Sequence, residues 1–146
     1  MVKENFIAEV IQSEKYRKLL KVVAALVWKE GRFLICRRPL HKSNGGLWEF
    51  AGGKIEPTET AENALVRECK EELNITVCVH EDFSRVTHHY EDFSVELILF
   101  NAEIIEGEPQ LMEHSEMRWI LPEEAKDFEF CPADVPFVEK ILTEYR

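Results

Sequence analysis

Three glutamates crowd one face of a helix-forming segment near the middle of the chain. Glu68, Glu71 and Glu72 fall within about 100° of arc when residues 60–73 are drawn as an α-helix. Glu68 and Glu72 form an i, i+4 pair of like charges, and all three lie toward the helix C-terminus, where the macrodipole disfavours anions. A divalent cation would remove both penalties, and hard oxygen ligands in this number favour Mg²⁺ or Mn²⁺ over zinc. A solvated acidic face is the alternative interpretation.

A glycine pair stands shortly before this segment, in Ala51-Gly52-Gly53-Lys54. Adjacent glycines let the backbone turn sharply and bring its carbonyl or amide groups close to a ligand. In isolation the pair is most simply a plain turn. Combined with the glutamate spacing that follows it, the pair becomes a strong signal of a binding loop.

The segment from Gly53 to Ile75 resembles the Nudix box, G-x5-E-x7-R-E-U-x-E-E-x-G-U. Gly53 is followed after five residues by Glu59, and after seven more by the run Arg67-Glu68-Cys69-Lys70-Glu71-Glu72-Leu73-Asn74-Ile75. Every charged position is filled, without a gap. Cys69 stands at an apolar position and Asn74 replaces the last glycine. Neither change affects the charged groups, because Cys behaves as a small apolar residue and Asn tolerates the left-handed conformation.

This resemblance covers most of residues 21–143. The stretches 47–54 and 131–136 are similar to the MutT branch, above all to its CTP pyrophosphohydrolases and 8-oxo-dGTP diphosphatases. The resemblance implies the Nudix fold, an α/β (α+β) arrangement in which a mixed β-sheet lies between α-helices and the box forms a loop–helix–loop. It also implies a Mg²⁺-dependent enzyme, with Mn²⁺ as a substitute, that converts a nucleoside triphosphate to a monophosphate and pyrophosphate in nucleotide-pool sanitation.

Carried over by position, the resemblance implies a role for each polar residue of the box. The implied metal ligands are Glu68, Glu71, Glu72, Glu113 and the Gly52 carbonyl. Gly53 and Glu59 would support the loop, and Arg67 would orient the carboxylates; an ordinary surface ion pair is the alternative for Arg67. One of the box glutamates, or Glu113, would act as general base. Glu116 is the alternative to Glu113 as the carboxylate on the facing loop.

Three further residues are candidates for substrate binding. Arg38 matches a phosphate-contacting arginine of the family, and its guanidinium fork fits phosphate oxygens; a solvated arginine at a strand end is the alternative. Phe50 could stack on a base or pack in the core. Asp134 stands where the MutT branch has a base-recognising residue, and an ionised Asp would favour bases that present N–H donors. Its alternative role is to cap the final helix.

Composition excludes several other function classes. A chain of 146 residues forms one domain, and its net charge of −10 argues against binding to a nucleic-acid polymer. Residues 29–54 carry six basic and two acidic side chains, a local charge of +4 that suits a small anionic ligand. The four cysteines are far apart, which favours a reduced, cytoplasmic protein. No signal peptide or membrane span is expected, and the oligomeric state is a monomer or a homodimer.

Periodicity predicts an N-terminal extension over residues 1–20, with a short amphipathic helix, and one catalytic domain over residues 21–146. Strands are predicted at residues 22–28, 32–37, 47–50, 75–79, 83–88, 94–104 and 119–120. The glutamate helix spans residues 61–73, with Thr60 as its N-cap and Asn74 as its left-handed end. A helical turn at 122–126 and a closing helix at 135–145 complete the chain.

Two alternative functions remain open at this point. One is hydrolysis of another nucleoside diphosphate derivative, either a sugar conjugate or a dinucleoside polyphosphate. The other is a non-catalytic domain that binds nucleotides, since a fold alone guarantees no activity. A degenerate domain would be expected to lose carboxylates, and this chain keeps all of them. The pair His88-His89 is an unfavourable metal site, because adjacent residues on a strand point to opposite faces.

Overall fold

A computed structural model describes residues 18–145 of the chain. Within this range the strands are β1 (Lys18–Lys29), β2 (Arg32–Arg37), β3 (Trp48–Glu49), β4 (Gly52–Lys54), β5 (Thr76–His89), β6 (Phe93–Glu106) and β7 (Glu116–Ile120). The helices are α1 (Ala61–Leu73) and α2 (Val135–Glu144), with 3₁₀ turns at Pro122–Asp127 and Pro132–Asp134. No helix among these residues is long and apolar enough to cross a membrane.

The described strands form one mixed sheet in the order β3-β2-β1-β6-β5, to which β4 adds by pairing with β1 and β7 by pairing with β2. Strand β1 runs parallel to β6, and the remaining pairs are antiparallel. The expected mixed sheet is therefore confirmed.

The sheet is covered by apolar side chains on both faces because successive residues of β1 point in opposite directions. Val23, Ala25 and Val27 join the cluster that contains the apolar stripe of α1. Ala24 and Leu26 join the cluster that contains the apolar residues of α2. One helix thus packs against each face, as the α/β sandwich requires.

Helix α1 begins and ends where the sequence predicts. The Thr60 hydroxyl accepts a hydrogen bond from the Asn63 amide at 3.1 Å, and Asn74 ends the helix with φ 55°. The apolar stripe of α1, Leu65, Cys69 and Leu73, is fully buried against the sheet. This packing fixes the direction in which the glutamates of the opposite edge project.

Four predicted features need correction. The two predicted strands at 75–79 and 83–88 are a single strand, β5, whose pairing with β6 absorbs register shifts near Asp82. Residues 52–54, for which no strand was predicted, form β4 and pair with β1. The last predicted strand, at 119–120, begins at Glu116. Residues 18–20 belong to β1, not to an extension, while the predicted helix around residues 6–11 lies outside the described residues.

Candidate active site

Arg67 is the centre of an ion-pair network on the solvent edge of α1. Its Nε and Nη2 donate to the two carboxylate oxygens of Glu59 at 2.6 and 2.9 Å. Its Nη1 donates to Glu68 at 3.0 Å and to Glu71 at 3.3 Å, and Nη2 also reaches the Lys54 carbonyl. This hydrogen bonding with Arg67 lowers the pKa of Glu59 to about 2. The guanidinium therefore ties the loop before the helix to two of its glutamates, which is more than a surface ion pair does.

Glu72 lies on the inner side of the same helix, against the glycine loop. Its carboxylate accepts a hydrogen bond from the Gly52 amide at 3.1 Å. Burial, reinforced by the neighbouring carboxylates of Glu68 and Glu113, raises the pKa of Glu72 to about 8. Ionising Glu72 in the folded protein therefore costs free energy, and a cation bound beside the carboxylate would offset that cost.

Both glycines of the loop are required by close contacts. A side chain at Gly53 would collide with the carboxylate of Glu68, and one at Gly52 would collide with the backbone of Val23 and Ala24. Glu68 is itself partly desolvated, and burial raises its pKa. The glycine pair therefore does what its sequence suggested: it lets the loop backbone approach the acidic edge of the helix.

The loop at residues 107–115 brings a further carboxylate to this edge. The Gln110 amide donates to the Leu73 carbonyl at 2.9 Å, and the Met112 amide to the Glu72 carbonyl at 3.3 Å. Glu113 follows, exposed, and its charge raises the pKa of both Glu68 and Glu72.

Glu116, the alternative to Glu113, forms ion pairs with two arginines instead of facing the helix glutamates. Its carboxylate pairs with Arg118 at 2.7 Å and with Arg37 at 3.4 Å, and the hydrogen bond from Arg118 lowers its pKa. Of the two glutamates considered, Glu113 is the one next to the helix.

A cleft of about 260 Å³ opens beside the glycine loop. Arg38 lines it and donates from Nη1 to Glu49 at 3.2 Å, while its Nε donates to the Ser43 carbonyl at 2.7 Å. The other side of Glu49 faces His114, whose Nε2 lies 2.9 Å from Oε2. Arg38 is thus an anchored side chain at the cleft wall, not a freely solvated one.

Asp134 lies at the floor of the cleft and is only 5% exposed. Although it immediately precedes α2, its side chain forms no capping hydrogen bond. Burial raises its pKa well above the ordinary value, and the charge of Glu49 adds to the effect. The sequence interpretation assumed an ionised Asp134; the structure instead favours a neutral carboxyl, which has one donor and one acceptor.

Phe50 is buried in the core cluster of the α2 face. Its ring stacks on Phe130 at 5.7 Å and lies 6.1 Å from Phe33. An edge of the ring also lines the cleft. Of its two predicted roles, packing is the one shown by these contacts.

Sequence reasoning missed Glu49, which lines the cleft, and His114, which lies behind it and bonds to Glu49. A signal existed for Glu49, which is a charged residue between the apolar Trp48 and Phe50. Nothing in its spacing distinguished His114, which meets Glu49 only because β3 and the loop after Gly107 converge. Of the neighbouring pair His88-His89, by contrast, neither residue lines the cleft, and His89 bonds to Ser94 at 2.7 Å.

Two clusters in the described residues have the composition of a metal site. Glu49, Cys131 and Asp134 have ligand atoms within 4.8 Å of one another, but burial raises the pKa of the Cys131 thiol to about 12, and a thiol does not suit Mg²⁺. The helix edge offers only oxygen ligands, from Glu68, Glu71, Glu72 and the adjoining loops. Oxygen ligands are the kind that Mg²⁺ prefers, and burial together with neighbouring carboxylates raises the pKa of Glu68 and Glu72, so these residues fit a divalent cation.

Comparison with known proteins places this geometry in a family. A model of the NUDIX domain matches residues 22–140, which include the whole box, the cleft and most of α2. The chain belongs to the Nudix family. It also shares 40% identity with the CTP pyrophosphohydrolase of Escherichia coli K12, over 86% of this chain and 93% of that protein. The 8-oxo-dGTP diphosphatase of the same organism is 31% identical over 85% of this chain and 97% of its own length.

Solved structures of Nudix proteins share the fold. The solution structure of the E. coli ORF135 protein superposes with a TM-score of 0.78 at 36% identity, covering 88% of this chain and 91% of that one. The MutT protein of Methanosarcina mazei Go1 gives a TM-score of 0.76 at 30% identity, covering 88% and 96%. The expected fold and family are therefore confirmed over the described domain.

Proposed function

We propose that this Nudix hydrolase is a Mg²⁺-dependent nucleoside triphosphate pyrophosphohydrolase that releases a nucleoside monophosphate and pyrophosphate and sanitises the nucleotide pool. The observation that carries the proposal is the placement of Glu72 at the meeting point of the acidic helix edge and the cleft, hydrogen-bonded to the Gly52 amide. The likeness to the CTP pyrophosphohydrolase and the 8-oxo-dGTP diphosphatase of E. coli supports it.

The acidic edge is the proposed metal site. Its ligands would be Glu68, Glu71, Glu72, Glu113 and the Gly52 carbonyl, with Mn²⁺ able to replace Mg²⁺. When bound, Mg²⁺ supplies positive charge that offsets the charge of the triphosphate and lowers the pKa of the attacking water. A protein with a net charge of −10 needs such compensation before a polyanion can approach its carboxylates.

The chain's own residues orient the reaction and move the proton. Arg67 holds Glu68 and Glu71 through the same guanidinium that grips Glu59, so the carboxylates keep their positions as charge changes around them. A carboxylate of this edge, either a box glutamate or Glu113, accepts the proton of the attacking water. Arg38 points its guanidinium into the cleft, where phosphate oxygens can replace part of its contact with Glu49.

In the proposed complex, the residues at the floor of the cleft recognise the base by hydrogen bonding. Glu49, paired with Arg38 and His114, only accepts hydrogen bonds, whereas the buried Asp134, whose pKa is raised, both donates and accepts when it is protonated. Since their oxygens lie within 4.8 Å of each other, both can bond to one base edge. Cytosine presents an amino donor at N4 beside an acceptor at N3, which complements this pair, while the O4 of uracil would face the Glu49 carboxylate. We infer a preference for cytosine nucleotides, including 5-substituted ones, with 8-oxo-dGTP as the second candidate.

The test is a substrate panel with product analysis in Mg²⁺. It contains CTP, dCTP, a 5-substituted dCTP, 8-oxo-dGTP, UTP, dTTP, a nucleoside diphosphate sugar and a dinucleoside polyphosphate. We expect kcat/KM for CTP to exceed that for UTP at least tenfold, because a mismatched base leaves a buried carboxyl group unpaired. Asp134→Ala should reduce this ratio more than it lowers the rate on the poorest substrate.

The reaction class is tested with ¹⁸O-labelled water. Label should enter one product of a monophosphate–pyrophosphate pair, and Glu71→Gln or Glu72→Gln should slow the reaction by orders of magnitude. Release of orthophosphate and a nucleoside diphosphate would exclude the proposed reaction. Higher kcat/KM on the sugar or dinucleoside substrate would assign the other hydrolase activity, and no turnover of any substrate would leave a nucleotide-binding domain.

A further inference from the structure

His114 is a buried imidazole with an unusual hydrogen-bonding balance. It is 9% exposed and belongs, with Ser94 and Asp134, to the buried polar residues of the described chain. Its Nε2 lies 2.9 Å from Glu49 Oε2, while its Nδ1 is buried without a hydrogen-bond partner among residues 18–145. Because the carboxylate can only accept, Nε2 carries the proton and Nδ1 is left as an unpaired acceptor. An apolar side chain at this position would avoid the cost of burying an unpaired nitrogen. We therefore ask what the hydrogen bond from Nε2 to Glu49 contributes.

The position of His114 in its loop supplies the reason. Before it, the loop is fastened to the end of α1 by the Gln110 and Met112 amides. After it, the Ser115 amide donates to the Arg37 carbonyl of β2 at 3.0 Å. Between these backbone anchors, Glu113 is exposed and the adjacent His114 side chain points inward. Ser115 adds a bond from its hydroxyl to the same Arg37 carbonyl, so the bond to Glu49 is the side-chain contact that ties this part of the loop to the cleft.

The hydrogen bond between His114 and Glu49 also fixes the position of the Glu49 carboxylate. Glu49 accepts hydrogen bonds from Arg38 and from His114. It faces Asp134 and Cys131 across the cleft floor. Removing His114 would leave Arg38 as its remaining anchor among these contacts and free the carboxylate to rotate. One hydrogen bond thus joins the loop of the acidic edge to the residues that meet the base.

We propose that His114 is a positioning residue that couples these two halves of the site. Its Nε2–H holds Glu49 toward the base and, through the loop backbone, holds Glu113 toward the metal edge. The inference rests on the proposed function for the identity of the two ligands. It differs from a purely structural role, because a core histidine that only packs would affect stability without separately affecting metal affinity and base preference.

The test compares His114→Phe, which removes the donor, with His114→Gln, whose side-chain amide can place a donor near the Nε2 position. His89→Phe is the control, since it also removes a ring hydrogen bond, but one to Ser94, which does not line the cleft as Glu49 does. Mn²⁺ affinity is measured by electron paramagnetic resonance without nucleotide, and the CTP-to-UTP ratio of kcat/KM is measured in Mg²⁺. Both are determined at one pH and at a temperature where urea titration shows each variant to be folded.

We expect His114→Phe to weaken Mn²⁺ binding several-fold and to reduce the CTP-to-UTP ratio by about tenfold, the effect of losing one hydrogen bond to a charged group. His114→Gln should recover most of both, and His89→Phe should change neither. Unchanged Mn²⁺ affinity and an unchanged ratio in folded His114→Phe would overturn the proposal, as would equal losses in the Gln variant.

A double-mutant cycle keeps the proposal testable if His114→Phe folds poorly. Glu49→Gln removes charge near Glu72 and so weakens Mn²⁺ binding by electrostatics alone. The proposal requires in addition that this effect shrink when His114 is already Asn, whose shorter side chain does not place a donor at the Nε2 position. Strict additivity would overturn the coupling. Failure of the wild type to hydrolyse any triphosphate would refute the proposed function instead, and the Mn²⁺ measurements would still decide the role of His114.

Discussion

The buried carboxylate of Glu72 makes a prediction about folding that is independent of catalysis. Its pKa rises from 4.5 to about 8 in the folded protein, chiefly through burial. An acid with a raised folded-state pKa stabilises the fold when protonated, and that stability is lost as the pH rises from the unfolded-state pKa through the folded-state pKa. At 1.36 kcal/mol per pKa unit, this raised pKa of Glu72 lowers the free energy of unfolding by about 3 kcal/mol at pH 7, relative to its value at low pH.

Glu72→Gln should therefore stabilise the metal-free protein. The amide oxygen can still accept from the Gly52 amide, so the substitution removes the charge and keeps the hydrogen bond. In EDTA, we expect urea titration to give a free energy of unfolding about 2–3 kcal/mol higher for the variant at pH 7. The difference should disappear below about pH 4.5, where Glu72 of the wild type is protonated in the unfolded state as well as in the folded one.

Glu71→Gln is the matched control, since the Glu71 side chain is 52% exposed. Its free energy of unfolding should stay close to that of the wild type across the same pH range. Saturating Mg²⁺ should then stabilise the wild type more than Glu72→Gln, because a neutral amide is a poorer ligand. A difference that is absent at pH 7, or equally large at pH 4 and pH 8, would refute the assignment of Glu72 as a desolvated carboxylate.

Three further substitutions test other parts of the site. Arg67→Lys keeps the charge but loses the two-pronged contact with Glu59, so kcat should fall about 10- to 100-fold in steady-state assays, with a smaller change in KM. Gly53→Ala should displace the Glu68 carboxylate and lower kcat about 100-fold, while circular dichroism shows the fold retained. Asp134→Asn should raise the metal-free unfolding free energy at pH 7, and the gain should vanish below about pH 3.8, because burial raises the pKa of the wild-type carboxyl.

Each of these three has a distinct contradicting result. Wild-type kcat in Arg67→Lys would show that a point charge suffices to orient the carboxylates. Full activity in Gly53→Ala would mean that Glu68 can move away without loss. A stability difference in Asp134→Asn that does not depend on pH would point to packing instead of the carboxyl proton.

Helix α1 could be predicted to the residue because its determinants are local. Thr60 supplies the cap, residues 61–73 contain neither Gly nor Pro, and Asn74 takes the left-handed conformation. Strand β4 could not be predicted from local sequence, because it pairs with β1, which lies before β2 and β3 in the chain. The polar run near Asp82 suggested an interruption, but hydrogen bonding to β6 carries strand β5 through it with register shifts.

The same distinction applies to the candidate site. The glutamates of the box share a helix, so their spacing alone predicted a common face. Glu49 and His114 are 65 positions apart, and no periodicity relates them. The protonation of Asp134 was also out of reach, because it depends on burial and on the charge of Glu49, which only the folded chain brings together.

The two halves of the site are therefore both unfavourable in the free protein, but for different reasons. At the helix edge, burial raises the pKa of Glu68 and Glu72, and neighbouring carboxylates add to this effect. A bound cation would favour the ionised carboxylates and offset the repulsion between them. At the cleft floor, Asp134 is buried without a capping contact, and under the proposed function a base edge with a donor and an acceptor would supply its partners. Gly52 and Glu72 line the cleft beside the floor while also belonging to the metal edge. Under the proposed function, a nucleotide with a metal-bound phosphate chain and a matching base would stabilise both the helix-edge carboxylates and Asp134. A metal, a phosphate or a base alone would stabilise at most one of the two, so the complete ligand should bind more tightly than any of these parts.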